Sequence, residues 1–243
     1  MIEVEGILLR QQDYKDKDAL LQIATSEYGK LTVVARSLRS ITSKQVAYCQ
    51  PFVKGKWMID YHELKPIHTL TGGEVLQSCR QLREDLYRSS FATCMAEVCE
   101  YLLELEPEGA YEELQAAFEA LQAAANPAMC FALYLARACR LFGIEPYVDG
   151  CVSCGSESKI CAISIQDGGF ICEECYEYSM PKKTVDFLRC FRMLMKAGYE
   201  HLDKIPFAHD VAIDVALFIL EFIKEHSSFG CVSEKFIREV LHL

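Results

Sequence analysis

Apolar residues fall in short runs over the first 75 or so positions and at helical spacing after that. The early runs are Ile7-Leu8-Leu9, Ala19-Leu20-Leu21-Gln22-Ile23, the β-branched Leu31-Thr32-Val33-Val34-Ala35, Phe52 to Tyr61, and Ile67 to Leu70. A turn at Glu27-Tyr28-Gly29 precedes the third run. Each run has strand length and strand composition. Five short strands in so little chain predict a small barrel, of which the OB-fold is one form. An SH3-like barrel or a short sandwich would satisfy the same pattern.

After Gly72-Gly73 the period changes. Residues 75–104 carry apolar side chains three and four apart, which predicts a helix broken at Pro107 and Gly109. Tyr111 to Ala124 predicts a second helix, ending near Asn126-Pro127, and Ala128 to Phe142 a third, capped by Gly143. Helical spacing returns over 183–202, 210–226 and 233–242. Within 210–226, Val211, Val215, Phe218, Ile219 and Phe222 make one apolar stripe, read as core. The expected class is α+β: an N-terminal five-stranded OB-fold barrel over 1–80, then an α-helical domain over 81–243. A separate segment, 148–178, interrupts the helices.

Charge supports a boundary near residue 80. The 243-residue chain has a formal net charge of −10. Residues 1–80 hold 11 Lys and Arg against 9 Asp and Glu, whereas residues 81–243 hold 14 against 26. The first third is therefore electrostatically distinct. The opening Met1-Ile2-Glu3-Val4-Glu5 lacks a basic leader, and no run of about 18 uncharged apolar residues occurs. The expectation is a soluble, cytoplasmic protein, associated with the nucleoid if it binds DNA.

Thirteen cysteines in such a chain read as metal ligands or small buried hydrophobes rather than disulfides. Four stand apart: Cys151-x2-Cys154, a gap of 17 residues, then Cys172-x2-Cys175. Two residues between cysteines let both sulfurs of a tight turn face one metal ion. The intervening Lys159 to Ile165, Asp167-Gly168-Gly169 and Phe170-Ile171 read as a hairpin between two knuckles. Gly155 suits a turn needing positive φ. One structural zinc per chain is expected, with no open position for activating water. Its neighbours Asp149, Glu157, Asp167, Glu173, Glu174 and Glu177 make an acidic face unsuited to phosphate. The other nine cysteines are expected to be packing residues.

No acidic residue occurs from Tyr28 through Ile59, a window that holds Lys30, Arg36, Arg39, Lys44, Lys54 and Lys56. Tyr28, Tyr48, Phe52 and Trp57 are interleaved. Cations that track a backbone, with rings for stacking, suit single-stranded nucleic acid. The six cations are the candidate DNA contacts; Phe52 and Trp57 are expected in the barrel core. Phosphate loops, dinucleotide fingerprints, zinc-protease and serine-hydrolase motifs are absent, and the six histidines are scattered. Asp16 and Asp18 lie between Lys15 and Lys17 and read as a solvated turn. Nothing positive points to an enzyme, so no catalytic residue is assigned.

Several segments, in order, resemble the RecO family of bacterial DNA-repair and recombination mediators. They are Gly6-Ile7-Leu8-Leu9-Arg10, Tyr14 through Leu21, Tyr28-Gly29-Lys30-Leu31, Ala35-Arg36-Ser37-Leu38-Arg39 and Gln50-Pro51-Phe52, then Phe142 through Pro146 running into Cys151 through Gly155. Ser37 departs from the family, which usually has glycine there. The resemblance implies an OB-fold, a helical domain and a zinc segment. It implies binding of single- and double-stranded DNA, strand annealing, and assistance in loading recombinase onto strands coated by single-strand-binding protein. RecR and the acidic C-terminal tail of single-strand-binding protein are the partners it implies. The competing reading is a zinc-stabilised protein-interaction scaffold that does not touch DNA.

Overall fold

In the computed structural model, which describes residues 1–105, 108–178 and 180–242, the expected strands close into a barrel. They are β1 (Ile2–Tyr14), β2 (Asp18–Thr25), β3 (Gly29–Ala35), β4 (Lys54–Asp60) and β5 (His68–Gln77). Their order around the barrel is β1-β2-β3-β5-β4, with only β3 and β5 parallel. This is the strand order of an OB-fold, so the sandwich and SH3-like alternatives fall away. Alternation sets the register: Leu31, Val33 and Ala35 point inward, while Thr32 and Val34 are half-exposed. Trp57 is fully buried among Leu21, Ile23, Val33 and Ile59.

One strand makes the closure possible. β1 pairs with β2 on one edge and β4 on the other, and both ladders run through Gly6, opposite Thr25 and Gly55. A Cβ on Gly6 would lie 2.3 Å from the Ala24 carbonyl oxygen. Only glycine lets the strands approach this closely. Beyond it, the register shifts between Leu8 and Arg10, a bulge that turns β1 from one partner to the other.

The helix expected to start at residue 75 starts later. β5 continues through Gln77, and the short α1 (Gln81–Glu84) and long α2 (Leu86–Glu104) follow. Asp85 caps α2, its carboxylate accepting from the Arg88 N–H at 2.8 Å. The Gly72-Gly73 pair, read as the end of the sheet, instead lies inside β5, with Met58 and Trp57 opposite. α3 is Ala110–Ala123 and α4 is Pro127–Leu141. Pro107, the expected helix breaker, lies outside the described residues. Gly143, at φ 70°, ends α4 with Ile144 N–H bonded to the Cys139 carbonyl at 2.9 Å. Then come the hairpin β6 (Ile160–Ser164) and β7 (Gly169–Cys172), α5 (Val185–Lys196), a 3-10 turn (Tyr199–Lys204), α6 (His209–His226) and α7 (Glu234–Val240).

The chain forms two compact units, Met1–Gln122 with Val232–Leu243, and Ala123–Cys231. In the first, Phe52 meets Phe118 of α3 edge-on at 5.5 Å. Ser233, at the start of α7, donates its N–H and hydroxyl to Glu97 of α2 at 3.1 and 3.0 Å. In the second, α4 packs on α6, and Val215, Phe218, Ile219 and Phe222 of the expected stripe are buried, with Val211 half-exposed. Cys49, Cys79, Cys94, Cys99, Cys130, Cys139 and Cys190 are buried, and Cys161 and Cys231 partly so. Burial pushes the Cys49 and Cys190 thiols up to about 12, as suits packing residues. Among the described residues, no helix is long and apolar enough to cross a membrane.

Gly6→Ala is expected to destabilise the barrel by about 1–3 kcal/mol through overpacking. Urea unfolding followed by emission of the sole tryptophan, Trp57, checks this; a variant as stable as wild type would contradict the close approach at Gly6.

Candidate nucleic-acid interface and metal centre

Three of the six candidate cations share the loop from residue 36 to 53, between β3 and β4. Arg36, Arg39 and Lys44 are all exposed on it. The loop is anchored from below by Leu38 and Cys49, which join the barrel core. Its first turn is held from the side. Ser37 N–H donates to Asp18 Oδ1 at 2.8 Å, and Arg39 N–H donates to the Lys17 carbonyl at 2.9 Å. The Arg39 guanidinium also meets Asp13 Oδ2 at 3.1 Å. Ser37 sits at φ 53°, in the left-handed region that glycine adopts freely. The position where the resembled family has glycine is thus one whose backbone favours glycine, and the Asp18 hydrogen bond holds serine there.

The other three cations are placed differently. Lys30, at the start of β3, pairs with Glu100 at 3.4 Å and with Glu104, both on α2. Arg10 of β1 joins Glu100 at 2.9 Å. Lys54 of β4 pairs with Glu5 at 2.9 Å. Lys56 lies between Glu5 and Glu74 in the β1 and β5 registers. Among the described residues, Arg36, Lys44 and Lys56 form no ion pair. Of the aromatics, Trp57 is in the barrel core at 0% exposure, whereas Phe52, at 4%, is buried against Phe118 of α3 instead. Tyr48 rests on Gly73 of β5, and Tyr28 is exposed, its ring 5.6 Å from Tyr61.

The cysteine segment folds as the spacing predicts. β6 and β7 pair through Ile163↔Phe170 and Ser164↔Gly169, and Gly155 and Gly168 take positive φ. The first knuckle closes with Gly155 N–H on the Cys151 carbonyl at 2.8 Å, and the second with Cys175 N–H on the Cys172 carbonyl at 3.2 Å. Val152 N–H to the Phe170 carbonyl, at 2.8 Å, ties the first knuckle to the hairpin. As a result the Sγ atoms of Cys151, Cys154, Cys172 and Cys175 all lie within 4.8 Å of one another, with Cys154 and Cys172 3.6 Å apart. Sulfurs at about 2.3 Å from one tetrahedral ion would be about 3.8 Å apart, so the cluster could hold a metal ion. The thiols oppose one another's ionisation. Burial raises Cys151, but backbone N–H groups of Cys172, Cys154 and Ser153 outweigh it and bring it down to about 6. The shared proton with Cys154, together with burial, pushes Cys175 up to about 12. A divalent cation would remove this conflict by stabilising all four thiolates together.

The second unit also carries a groove of about 970 Å³ between α5, the 3-10 turn and the start of α6. Met193, Ile205, Phe207 and Val211 line it with apolar surface, joined by the cations Arg189 and Lys204, by His201, and by one carboxylate, Asp186. Arg192 and Lys196, also in the lining, share the Asp149 carboxylate, with Arg192 at 3.0 Å. Sequence reading missed these cations because they come from two elements and residues 81–243 taken together are strongly negative. The signal present was the run Arg189, Arg192, Lys196 at helical spacing. Sequence reading also missed that the β1–β2 turn is bonded to the basic loop, which only the barrel brings together.

Residues 1–79 match the family description "Recombination protein O N terminal", and residues 83–230 match "Recombination protein O C terminal". The chain is 27% identical to a DNA repair protein RecO of Halalkalibacterium halodurans, covering 98% of this chain and 94% of the relative. The Bacillus subtilis protein of that name is 26% identical, covering 99% and 95%, and a Listeria monocytogenes one 27%, covering 99% and 95%.

Ser37→Gly is expected to be neutral or to stabilise by up to about 1 kcal/mol, and Ser37→Val to destabilise by about 1–3 kcal/mol. Urea midpoints of the two variants check this. A Ser37→Val protein as stable as Ser37→Gly would contradict the left-handed backbone there.

Proposed function

We propose, from the premise that the chain belongs to the RecO family of DNA repair proteins, that it is a non-enzymatic, DNA-binding recombination mediator. In this reading residues 1–80 are the nucleic-acid-binding domain. The observation that carries it is the anchored β3–β4 loop, which presents Arg36, Arg39 and Lys44 to solvent from an OB barrel. Lys56 adds a cation free of ion pairs among the described residues. Lys30 and Lys54 are half-buried and held by carboxylate partners, so they contribute only where phosphate displaces those partners. Phosphate contacts position the strand without reading its sequence, which suits annealing and the loading of recombinase on strands of any sequence.

The cysteine cluster supports one structural zinc per chain, held by Cys151, Cys154, Cys172 and Cys175. A zinc ion bound there would supply folding energy, and backbone N–H groups near Cys151 would help stabilise its thiolate. Four thiolates around Zn²⁺ leave a net charge of −2, beside Glu157, Glu173, Glu174 and Glu177. Such a face repels phosphate, so the zinc is assigned to bracing the second unit, not to reading DNA.

The groove on α5, with its apolar and cationic lining, supports a partner that is both acidic and apolar. The acidic C-terminal tail of single-strand-binding protein has that chemistry, and we place it here. RecR completes the set of proposed partners, without an assigned surface.

Affinity of the full chain for single-stranded DNA is expected to fall with salt, with a log–log slope of about −3 to −4 for four to six phosphates. Arg36→Glu with Arg39→Glu should weaken binding by tenfold or more at low salt. Fluorescence anisotropy across a salt series checks both; salt-independent binding, or a double variant that binds as well as wild type, would sink the assignment. Elemental analysis should give about one zinc per chain, and Cys172→Ser should lose the metal and lower the melting temperature. A well-folded chain with four free thiols and no metal would contradict the zinc assignment.

A further inference from the structure

We infer that the β1–β2 turn is the second half of the nucleic-acid interface, with Lys15 and Lys17 as phosphate contacts and Asp18 as the residue that positions the basic loop. The inference rests on the DNA-binding reading above and extends its site. Lys15, Asp16 and Lys17 form the tight turn between the two strands, with Lys15 at φ 52° and its Nζ 5.2 Å from the Tyr14 ring centroid. That turn and the β3–β4 loop are one surface, because two hydrogen bonds join them: Ser37 N–H to Asp18 Oδ1 at 2.8 Å and Arg39 N–H to the Lys17 carbonyl at 2.9 Å. Lys15 and Lys17 are exposed and form no ion pair among the described residues. The barrel therefore sets Lys15 and Lys17 beside Arg36 and Arg39.

Asp18 has an unusual place in this surface. A carboxylate within a phosphate-binding site should weaken binding by simple repulsion. Here it is half-buried and turned to the backbone, where it accepts the Ser37 N–H between Arg36 and Leu38. Without that acceptor the left-handed turn at Ser37 loses its only side-chain hydrogen bond among the described residues, and Arg36 and Arg39 lose their fixed spacing. Ordering a loop in advance lowers the entropic cost of binding. The effect of Asp18 on DNA then runs through geometry, against the sign of its charge.

Two neutral replacements separate geometry from charge. Asp18→Ala and Asp18→Asn both remove the negative charge, but asparagine keeps an oxygen that can accept the Ser37 N–H. On the full chain with a fluorescent single-stranded oligonucleotide, Asp18→Ala should bind at least threefold more weakly than wild type. Asp18→Asn should bind as tightly as wild type or more so. Asp18→Ala binding as well as wild type, or better, overturns the positioning role. Should Asp18→Ala fail to fold, as judged by its melt, the double variant Lys15→Ala, Lys17→Ala carries the test. It should lower the magnitude of the salt slope by about 1 to 1.5, two single-strand phosphate contacts at about 0.7 each. An unchanged slope overturns the extended interface while leaving the reading beneath it intact. Wild-type chain that shows no salt-dependent binding overturns that reading and this inference with it.

Discussion

The architecture of the first unit depends on one close approach. β1 hydrogen-bonds along both edges, and at Gly6 it runs between Thr25 and Gly55 with no room for a side chain. A closed barrel has no free edge to aggregate, but it requires a strand that can bend and change partners. Gly6 permits the approach and the bulge after Leu8 makes the turn. Everything downstream inherits this geometry. The end of β1 reaches the β1–β2 turn, and the end of β3 leaves for the basic loop, so the two meet at Asp18 and Ser37. Two segments some twenty residues apart in sequence become one surface because the strand between them, β2, is bonded on both sides.

Much of the fold was legible because the barrel and the helices obey different periods. The β-branched run at Leu31–Ala35 and the paired knuckles each carry a local signal that survives without tertiary context. The end of the sheet did not. Val75 and Leu76 are exposed strand residues at 39% and 44%, so they show no inward-outward alternation and blend into the helical spacing that follows. Gly72 and Gly73 looked like a terminator because glycine is poor in strands. Within β5 they make room instead: Met58 and Tyr48 occupy the space their side chains would take. The candidate cations were visible as a charge pattern, but their partners were not. Lys30 finds Glu100 and Glu104 some seventy positions away, a pairing that no local window contains.

Charge therefore has to be read by what each group is bonded to. Arg36 and Lys44 stand clear of carboxylates among the described residues, while Lys30 is shared between two glutamates of α2. The second unit carries a groove lined by Arg189, Arg192, Lys196 and Lys204, and two of these cations already hold Asp149. Net charges of opposite sign in the two parts of the sequence describe long-range steering, not the chemistry of any one site.

The cysteine cluster and the basic loop illustrate two ways of fixing a site on irregular backbone. Loops lack the repeating ladders that hold helices and strands, so their functional groups need separate anchors. In the cysteine segment, two turns are closed by their own N–H groups and four sulfurs converge, leaving the last constraint to a metal ion. In the basic loop no such ion can serve, because a cation would compete with phosphate for the role of the arginines. The anchors there are two buried side chains, Leu38 and Cys49, and one carboxylate bonded to the loop backbone. A negative group suits that task for the reason it looks out of place. Asp18 can accept a backbone N–H strongly, it takes no guanidinium donor of Arg36 or of Arg39, whose own ion pair is with Asp13, and it keeps the loop ordered before any strand arrives.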